Sequence, residues 1–152
     1  MIDRLLAYDA IGWDFDGTLI DHPMSPLMHE FILAHPTKRH FILTFRTHGM
    51  ENSMFREMRM KYRDAPLPRS FAGTHNVNAR AWEKFMATQK GRLLGLFEGP
   101  LTPWEEYYVE WKGMMCDRLH LPVLIDDMTA HVRPGCEKYG IAYIHPDELQ
   151  AG

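Results

Sequence analysis

The 152-residue sequence has few features that would cross-link a protein or carry it into a membrane. Its two cysteines, Cys116 and Cys136, stand far apart and form no Cys-x-x-Cys motif. No secretory signal peptide is present, and no apolar run reaches the length of about 18 residues that a membrane-spanning helix needs. We therefore expect a reducing, cytoplasmic setting and no association with a membrane.

The chain also lacks the patterns of two common binding classes. Lys and Arg total 17 against 20 Asp and Glu, which gives a formal net charge of −3, and no basic run resembles a nucleic-acid-binding arm. Nine histidines occur, but none follows the His-x-x-x-His or Cys/His spacing of a structural zinc site. A nucleic-acid partner and a zinc site are therefore disfavoured.

Short apolar runs alternate with longer amphipathic stretches along the chain, and no internal repeat interrupts them. This alternation is typical of βα units, so it predicts an α/β fold with a Rossmann-like, mostly parallel sheet and helices on both faces. A single domain over residues 1–152 buries roughly two thirds of its unfolded surface, so it needs no metal or disulfide merely to fold. The sequence does not indicate an oligomeric state.

The apolar runs and the helix signals predict the order of the elements. Strands are expected at residues 10–13, 40–45, 122–125 and 141–144, with a short apolar piece near 70–72. Helices are expected at 25–34 with Ser25 as N-cap, at 49–62, from about Asn78, and at 103–119 after a capping box, with a last helical turn at 146–149. A strand over 107–111 is the alternative to the 103–119 helix. Residues 73–111 could also include a small lid or insert.

The most informative motif is Asp14-Phe15-Asp16-Gly17-Thr18, directly after the first predicted strand. It places two carboxylates, two residues apart, at the carboxyl end of that strand, where open α/β sheets bind their ligands. Three further signals lie at or near the ends of other elements in a fixed order: Thr44, then Lys112, then the pair Asp126 and Asp127.

Converging carboxylates without thiolates form the hard oxygen site that Mg²⁺ prefers, and a bound phosphate would complete its coordination. An aspartate could then attack phosphorus to give an aspartyl-phosphate, while Lys112 offsets the remaining negative charge. The pattern thus predicts a phosphoryl-transfer site.

This ordered set resembles that of the haloacid dehalogenase superfamily of phosphohydrolases, from about residue 11 to Asp127. The resemblance implies that Asp14 is the nucleophile and Asp16 the general acid/base, and that Mg²⁺ is bound by Asp14, the backbone carbonyl of Asp16 and the Asp126-Asp127 pair. Within that pair, Asp127 is expected to be the direct ligand and Asp126 its support. The resemblance further implies that Thr44 hydrogen-bonds the transferring phosphoryl group and that Lys112 holds both nucleophile and phosphate.

The same resemblance indicates which reaction to expect and how large a cap domain can be. An acid at position 16 is typical of phosphate-ester hydrolysis, because dehalogenases do not use an acid there and ion-pumping ATPases typically carry lysine. Only 25 residues separate Thr18 from Thr44, so no large cap domain fits between them. The expected substrate is a small phosphorylated metabolite, with a nucleotide monophosphate preferred because compact nucleotidases share a similar spacing between Lys112 and Asp126.

Two nearby residues and two other function classes complete the hypotheses. Arg46 and His48 follow Thr44 and are candidates to bind the substrate phosphate or its leaving group, with a surface ion pair as the alternative for Arg46. Phosphoacceptor receiver domains use similar residues, but there the acidic pair comes early and the lysine late, opposite to the order here. A relative without catalysis that binds Mg²⁺ and phosphate in a regulatory role is the remaining alternative.

Overall fold

The computed structural model describes residues 1–47 and 49–150, and it contains a five-stranded, entirely parallel sheet flanked by helices. The strands are β1 (Ala10–Trp13), β2 (Arg39–Thr47), β3 (Gly73–Val77), β4 (Val123–Ile125) and β5 (Ala142–Ile144). The α-helices are α1 (Ser25–Ala34), α2 (Glu51–Lys61), α3 (Ala79–Leu93), α4 (Pro103–Arg118) and α5 (Thr129–Lys138). Short 3-10 helices span Ile2–Ala7, Pro68–Ser70 and Pro146–Leu149. The predicted α/β class with a parallel sheet is confirmed.

The strand order is β3-β2-β1-β4-β5, so the first strand lies at the centre of the sheet. β1 pairs on one side with β2, where Trp13 is opposite Ile42, and on the other side with β4, where Trp13 is opposite Ile125. Because all five strands run in the same direction, their carboxyl ends meet at one edge. The residues that follow β1 and β4 are therefore neighbours in space.

Apolar side chains are buried on both faces of the sheet. On one face, Trp13 of β1 packs in a cluster with side chains from α1 and α2, including Met28 and Met54. On the other face, Leu124 of β4 packs with side chains from α4 and α5, including Cys116 and Val132. Helices therefore cover both faces, as the alternation of the sequence predicts.

A third apolar cluster joins α3 to α4 and consists largely of aromatic rings. Tyr108 of α4 stacks on Phe85 of α3 at 3.9 Å between ring centroids and on Phe45 of β2 at 4.2 Å. This stack connects the helices to the end of β2, which is one of the strand ends where a ligand site is expected.

Three details of the predicted elements need correction. The alternative strand over residues 107–111 is wrong, because the capping box of Thr102 and Glu105 forms and the segment lies within α4. β3 begins just after the expected apolar piece, and its sequence Gly-Thr-His-Asn-Val is too polar for a hydrophobic pattern to predict. Met24 rather than Ser25 is the N-cap of α1, because Ser25 is already the first residue of the helix; its hydroxyl donates a hydrogen bond to the Thr18 carbonyl.

Residues 73–111, which could include a lid or insert by the sequence, contain β3, α3, a connecting loop and the first half of α4. Whether any part of that span closes over a ligand stays a prediction. Among the described residues, no helix combines the length and the apolar character needed to cross a membrane.

Candidate functional site

Asp14 and Asp126 lie side by side at the carboxyl edge of the sheet. Each is the first residue after its strand, and the last residues of the two strands, Trp13 and Ile125, are opposite each other in the β1–β4 register. The Asp14 amide N–H donates to the Ile125 carbonyl at 2.9 Å, which continues the ladder by one residue. The two carboxylates are both buried.

Lys112 brings its charge to these two carboxylates from α4. Its Nζ donates a hydrogen bond to Asp14 Oδ1 at 2.7 Å and another to Asp126 Oδ2 at 2.6 Å, and its side chain is fully buried. The Nζ also lies 4.4 Å from the centre of the Phe45 ring, where a cation–π contact is favourable. The fold thus brings together Asp14 and Lys112, which are 98 positions apart in the chain.

Burial and the neighbouring charges both shift the pKa values of Asp14 and Lys112. Burial raises the pKa of Asp14 well above its usual value, repulsion from Asp126 raises that pKa further, and Lys112 opposes both effects. For Lys112, burial alone would lower the pKa, but attraction by Asp126 and Asp14 outweighs it and raises the pKa above the usual value. Lys112 is therefore held as a cation, and it helps to keep Asp14 ionised.

A third carboxylate, Asp127, joins the two at a distance suited to a divalent cation. One oxygen each from Asp14, Asp126 and Asp127 lies within 4.8 Å of the others. Asp127 Oδ1 is buried and has no hydrogen-bond partner, which is costly for a carboxylate unless something else binds it. Three carboxylates against one ammonium also leave an excess of negative charge.

The two members of the acidic pair are engaged differently. Asp126 accepts a hydrogen bond on each oxygen, from Lys112 and from the Met128 amide N–H at 2.8 Å. Asp127, by contrast, presents the unpartnered oxygen. This arrangement fits the expected division between a supporting Asp126 and a ligand Asp127, and the hard oxygen donors fit Mg²⁺.

Gly17 leaves the room that Asp127 occupies. Its φ of +74° favours glycine, and a Cβ at this position would overlap the carboxylate of Asp127. The glycine of the motif is therefore a packing requirement. Thr18, the next residue, donates its hydroxyl to Asp14 Oδ2 at 3.2 Å.

Asp16 turns to Arg46 and forms a bidentate ion pair with it. Arg46 Nε and a terminal nitrogen donate to the two Asp16 oxygens at 2.9 and 2.7 Å, and another terminal nitrogen donates to Glu57 of α2 at 2.9 Å. The Arg46 guanidinium also lies 4.9 Å from the centre of the Phe15 ring. The role of the Asp16 backbone carbonyl as a metal ligand stays a prediction.

Thr44 lies in β2, the neighbour of β1, and is buried. Its Oγ1 accepts a hydrogen bond from the Arg46 amide N–H at 3.1 Å, which leaves the hydroxyl proton of Thr44 available to a ligand. His48, the other candidate in this loop, lies outside the described residues.

Sequence reasoning missed three residues that hold the site in place. Thr18 binds Asp14, Glu57 binds Arg46, and the Tyr143 hydroxyl donates to the backbone carbonyl of Asp126. Thr18 was detectable, because it stands four residues after Asp14 in the tight loop of the motif. Glu57 and Tyr143 carry no local signal, since their contacts depend on how α2 and β5 pack.

The fold and this site define an α/β protein with a buried lysine and three acidic side chains at the carboxyl edge of a parallel sheet. Comparisons with protein-family models, with curated proteins and with solved structures find no match. The geometry is therefore the basis for a functional assignment.

Proposed function

We propose that this chain is a Mg²⁺-dependent phosphomonoester hydrolase of the haloacid dehalogenase type, acting on small phosphorylated molecules through an aspartyl-phosphate on Asp14. The observation that carries the proposal is the buried ammonium of Lys112, bound to Asp14 and Asp126 beside the unpartnered oxygen of Asp127. A purely structural ion pair would not need a third carboxylate with an unsatisfied oxygen.

The first half-reaction would use Asp14 and Asp16. A carboxylate oxygen of Asp14 attacks phosphorus, the bond between phosphorus and the ester oxygen breaks, and Asp16 gives a proton to the departing oxygen. Lys112 holds the Asp14 carboxylate in place and opposes the effect of burial on its pKa, and the Thr44 hydroxyl is the donor on the neighbouring strand for a phosphoryl oxygen. When bound at Asp14 and Asp127, Mg²⁺ supplies neutralisation of the phosphoryl charge.

The second half-reaction would release phosphate. Asp16, now ionised, takes a proton from water, the water oxygen attacks phosphorus, and the bond from Asp14 to phosphorus breaks. Asp14 returns as a carboxylate beside Lys112. The two steps require the same acid to face first the leaving oxygen and then the water.

In this proposal Asp16 exchanges its ion pair with Arg46 for the substrate. The Asp16 side chain is 53% exposed, whereas Arg46 is only 20% exposed and is also paired with Glu57. Once released by Asp16, the Arg46 guanidinium would still be held by Glu57 and could bind a phosphoryl oxygen.

The test is phosphate release from a broad panel of phosphomonoesters, with Mg²⁺ and with a chelator. We expect release that requires Mg²⁺ in the wild type and a loss of about 10³-fold or more in Asp14→Asn, because the nucleophile is removed. The matched control is Asp9→Asn, an exposed aspartate five residues earlier, which should retain wild-type activity. Near-wild-type turnover by folded Asp14→Asn would refute the proposal.

One observation favours the second candidate, a non-catalytic module that binds Mg²⁺ and phosphate. Both oxygens of Asp16, the proposed acid/base, are engaged by Arg46, which Glu57 also holds. Asp16→Asn distinguishes the two functions: the hydrolase loses turnover by about 10²- to 10⁴-fold while still binding phosphate. The module would bind inorganic phosphate with Mg²⁺ and release none from any ester, in wild type and variant alike.

A further inference from the structure

A cavity of about 450 Å³ opens beside Asp16, in the size range of roughly 300–1,000 Å³ that is usual for small-molecule sites. Its lining among the described residues is Asp16, Phe45, Arg46, Thr47, Met50 and Trp82. These side chains come from the motif loop, from β2 and the turn after it, and from α3. The cavity therefore adjoins the site without being part of the acidic cluster.

The cavity lies where the proposed role of Asp16 would place the leaving group. If Asp16 protonates the departing oxygen, the leaving group must lie next to its carboxylate, and this cavity is the space that Asp16 borders. Phe45 provides a second connection, because its ring contacts Lys112 Nζ at 4.4 Å and also lines the cavity. The cavity thus extends from the reacting centre towards α3.

The chemistry of the lining selects among leaving groups. Trp82 presents aromatic surface, Met50 a thioether and Arg46 a planar cation, and each of these groups interacts favourably with a flat ring. Phe45 also lines the cavity, although its ring is stacked on Tyr108. Thr47 contributes a hydroxyl, but the lining residues that the structure describes include no set of amides and carboxylates of the kind that would bind several sugar hydroxyls. A flat, apolar group is the better match.

The exposure of Trp82 supports the same conclusion. Ala81 and Phe85 carry the buried face of α3 in the aromatic cluster with Tyr108, whereas Trp82 is 39% exposed. Trp82 is therefore not needed to fill the core, and its ring borders the cavity.

We propose that this cavity binds the leaving group of the substrate and selects phosphomonoesters whose leaving group carries an aromatic ring. The inference rests on the proposed hydrolase function and specifies its substrate class. Trp82 acts as a specificity residue that contacts the ring, and Asp14, Asp16 and Lys112 act on the phosphoryl group.

The experiment compares kcat/KM for benzyl, cyclohexylmethyl and methyl phosphate with Mg²⁺ present. The three are esters of primary alcohols of similar acidity, so their differences report binding of the leaving group. We expect the wild type to prefer benzyl phosphate, and Trp82→Ala to lower its kcat/KM by about 10-fold while methyl phosphate changes by less than about twofold. Trp82→Phe should retain most of the benzyl preference.

Trp104→Ala is the matched control, because Trp104 is 38% exposed but lines a different cavity between α3 and α4. It should leave all three substrates unchanged. Met50→Ala is the second test, because Met50 is exposed at the start of α2 and should also lower activity on benzyl phosphate selectively.

The outcomes separate this inference from the proposed function. Release that requires Mg²⁺ and Asp14, but with no benzyl preference or with equal losses on all three esters in Trp82→Ala, would overturn the inference and leave the hydrolase intact. An equal loss in Trp104→Ala would also overturn it. If the wild type releases phosphate from no ester at all, the proposed function fails and the inference fails with it.

Discussion

Lys112 is a charge that the interior of this protein accepts only because two carboxylates accompany it. Its ammonium binds Asp14 and Asp126 at 2.7 and 2.6 Å, and none of its side chain reaches solvent. Removing one member of a buried ion pair leaves the others uncompensated, which usually costs more than the intact arrangement contributes. The lysine should therefore matter for stability as well as for phosphate chemistry.

Lys112→Met should lower the free energy of unfolding by about 3–5 kcal/mol, because it leaves Asp14 and Asp126 buried without their cation. Urea denaturation in the presence of chelator measures this cost. A second change, Asp126→Asn, should recover part of the loss by removing one of the two carboxylates.

The control for this prediction is Lys138→Met, which removes a lysine paired with Glu110 on the surface. Its urea midpoint should stay close to that of the wild type, as for other exposed ion pairs. Equal urea midpoints for the two variants would show that Lys112 is not stabilised as the structure indicates.

At the scale of the elements, the start of α4 is held by a buried carboxylate, Glu105. Its oxygens accept hydrogen bonds from Arg92 at 2.6 and 2.8 Å, from Gln89 at 2.7 Å and from the Thr102 amide N–H at 2.9 Å. The hydrogen bonds from Arg92 are the main cause that lowers the pKa of Glu105 to about 2 from its ordinary value of 4.5. Glu105 thus joins α3 and α4, and Lys112 lies two turns further along α4.

Glu105→Gln should lower stability by about 2 kcal/mol at neutral pH, since it removes the charge from these hydrogen bonds. Because the pKa of Glu105 is lowered on folding, its contribution is complete above about pH 4.5 and is lost as the pH falls towards about 2. The difference in unfolding free energy between wild type and variant should therefore shrink across that interval. Urea midpoints measured from pH 7 to pH 2 provide the check.

Glu137→Gln is the comparison, because Glu137 pairs with Arg133 on the exposed surface of α5. It should show little effect at any pH. A constant difference between wild type and Glu105→Gln down to pH 2 would contradict the expected mechanism.

The crossing of α4 and α5 depends on two glycines that face each other. A Cβ on Gly113 would overlap the backbone carbonyl of Gly135, and a Cβ on Gly135 would lie 2.9 Å from the Cα of Glu110. Backbone atoms cannot rotate away as side chains can, so the helices would have to separate. Gly113 also directly follows Lys112, so such a separation would displace the buried ammonium.

Gly113→Ala should destabilise the protein by about 1–3 kcal/mol through overpacking. The sign of this change in stability is informative, because helix propensity alone would make the alanine variant more stable than the wild type by roughly 1 kcal/mol. Gly91→Ala in α3 is the matched control, since the atoms in its way belong to the half-exposed Phe97 ring, which can move. Thermal denaturation of both variants distinguishes the cases, and a gain in stability for Gly113→Ala would contradict the close crossing.

Elements with strong local signals were predictable from the sequence, and those without were not. The Thr102 and Glu105 capping box predicted the start of α4, and the Asn78 side chain caps α3 where that helix was expected. β3 was not recognised as a strand, because its pairing with β2 depends on backbone hydrogen bonds and not on apolar side chains. An ion pair was considered for Arg46 and is present, but its partners Asp16 and Glu57 were not predictable, since the direction of a loop side chain depends on distant parts of the chain.

For the molecule as a whole, the site combines chain segments that are far apart in sequence, so it forms only when the protein is folded. The order of Asp14, Thr44, Lys112 and Asp126 was visible because parallel sheets bring the carboxyl ends of their strands together. The separations between these residues gave no information on burial, on the unpartnered oxygen of Asp127 or on the cavity beside Trp82. Those properties arise only when all the elements have packed.

Mg²⁺ should stabilise the folded protein, because the three carboxylates meet only in the native state. At a hundredfold excess over its Kd the gain is about 2.7 kcal/mol, which corresponds to a rise in Tm of about 5–10 °C for a domain of this size. Thermal melts with and without Mg²⁺ measure the rise, and Asp127→Asn should abolish most of it. Asp117→Asn, an exposed aspartate on α4, should keep the full rise; an undiminished rise in Asp127→Asn would exclude it as a ligand.

The central place of β1 in the sheet has a consequence for folding during synthesis. β1 can pair with β2 soon after both leave the ribosome, but its other partner, β4, is made about 110 residues later, several seconds at ordinary rates of translation. Throughout that interval one edge of β1 presents unpaired backbone N–H and C=O groups, and unpaired edges of this kind invite aggregation. Asp126 and Asp127 directly follow β4, so the segment that pairs with the free edge of β1 also completes the acidic site, and β5 joins the sheet last.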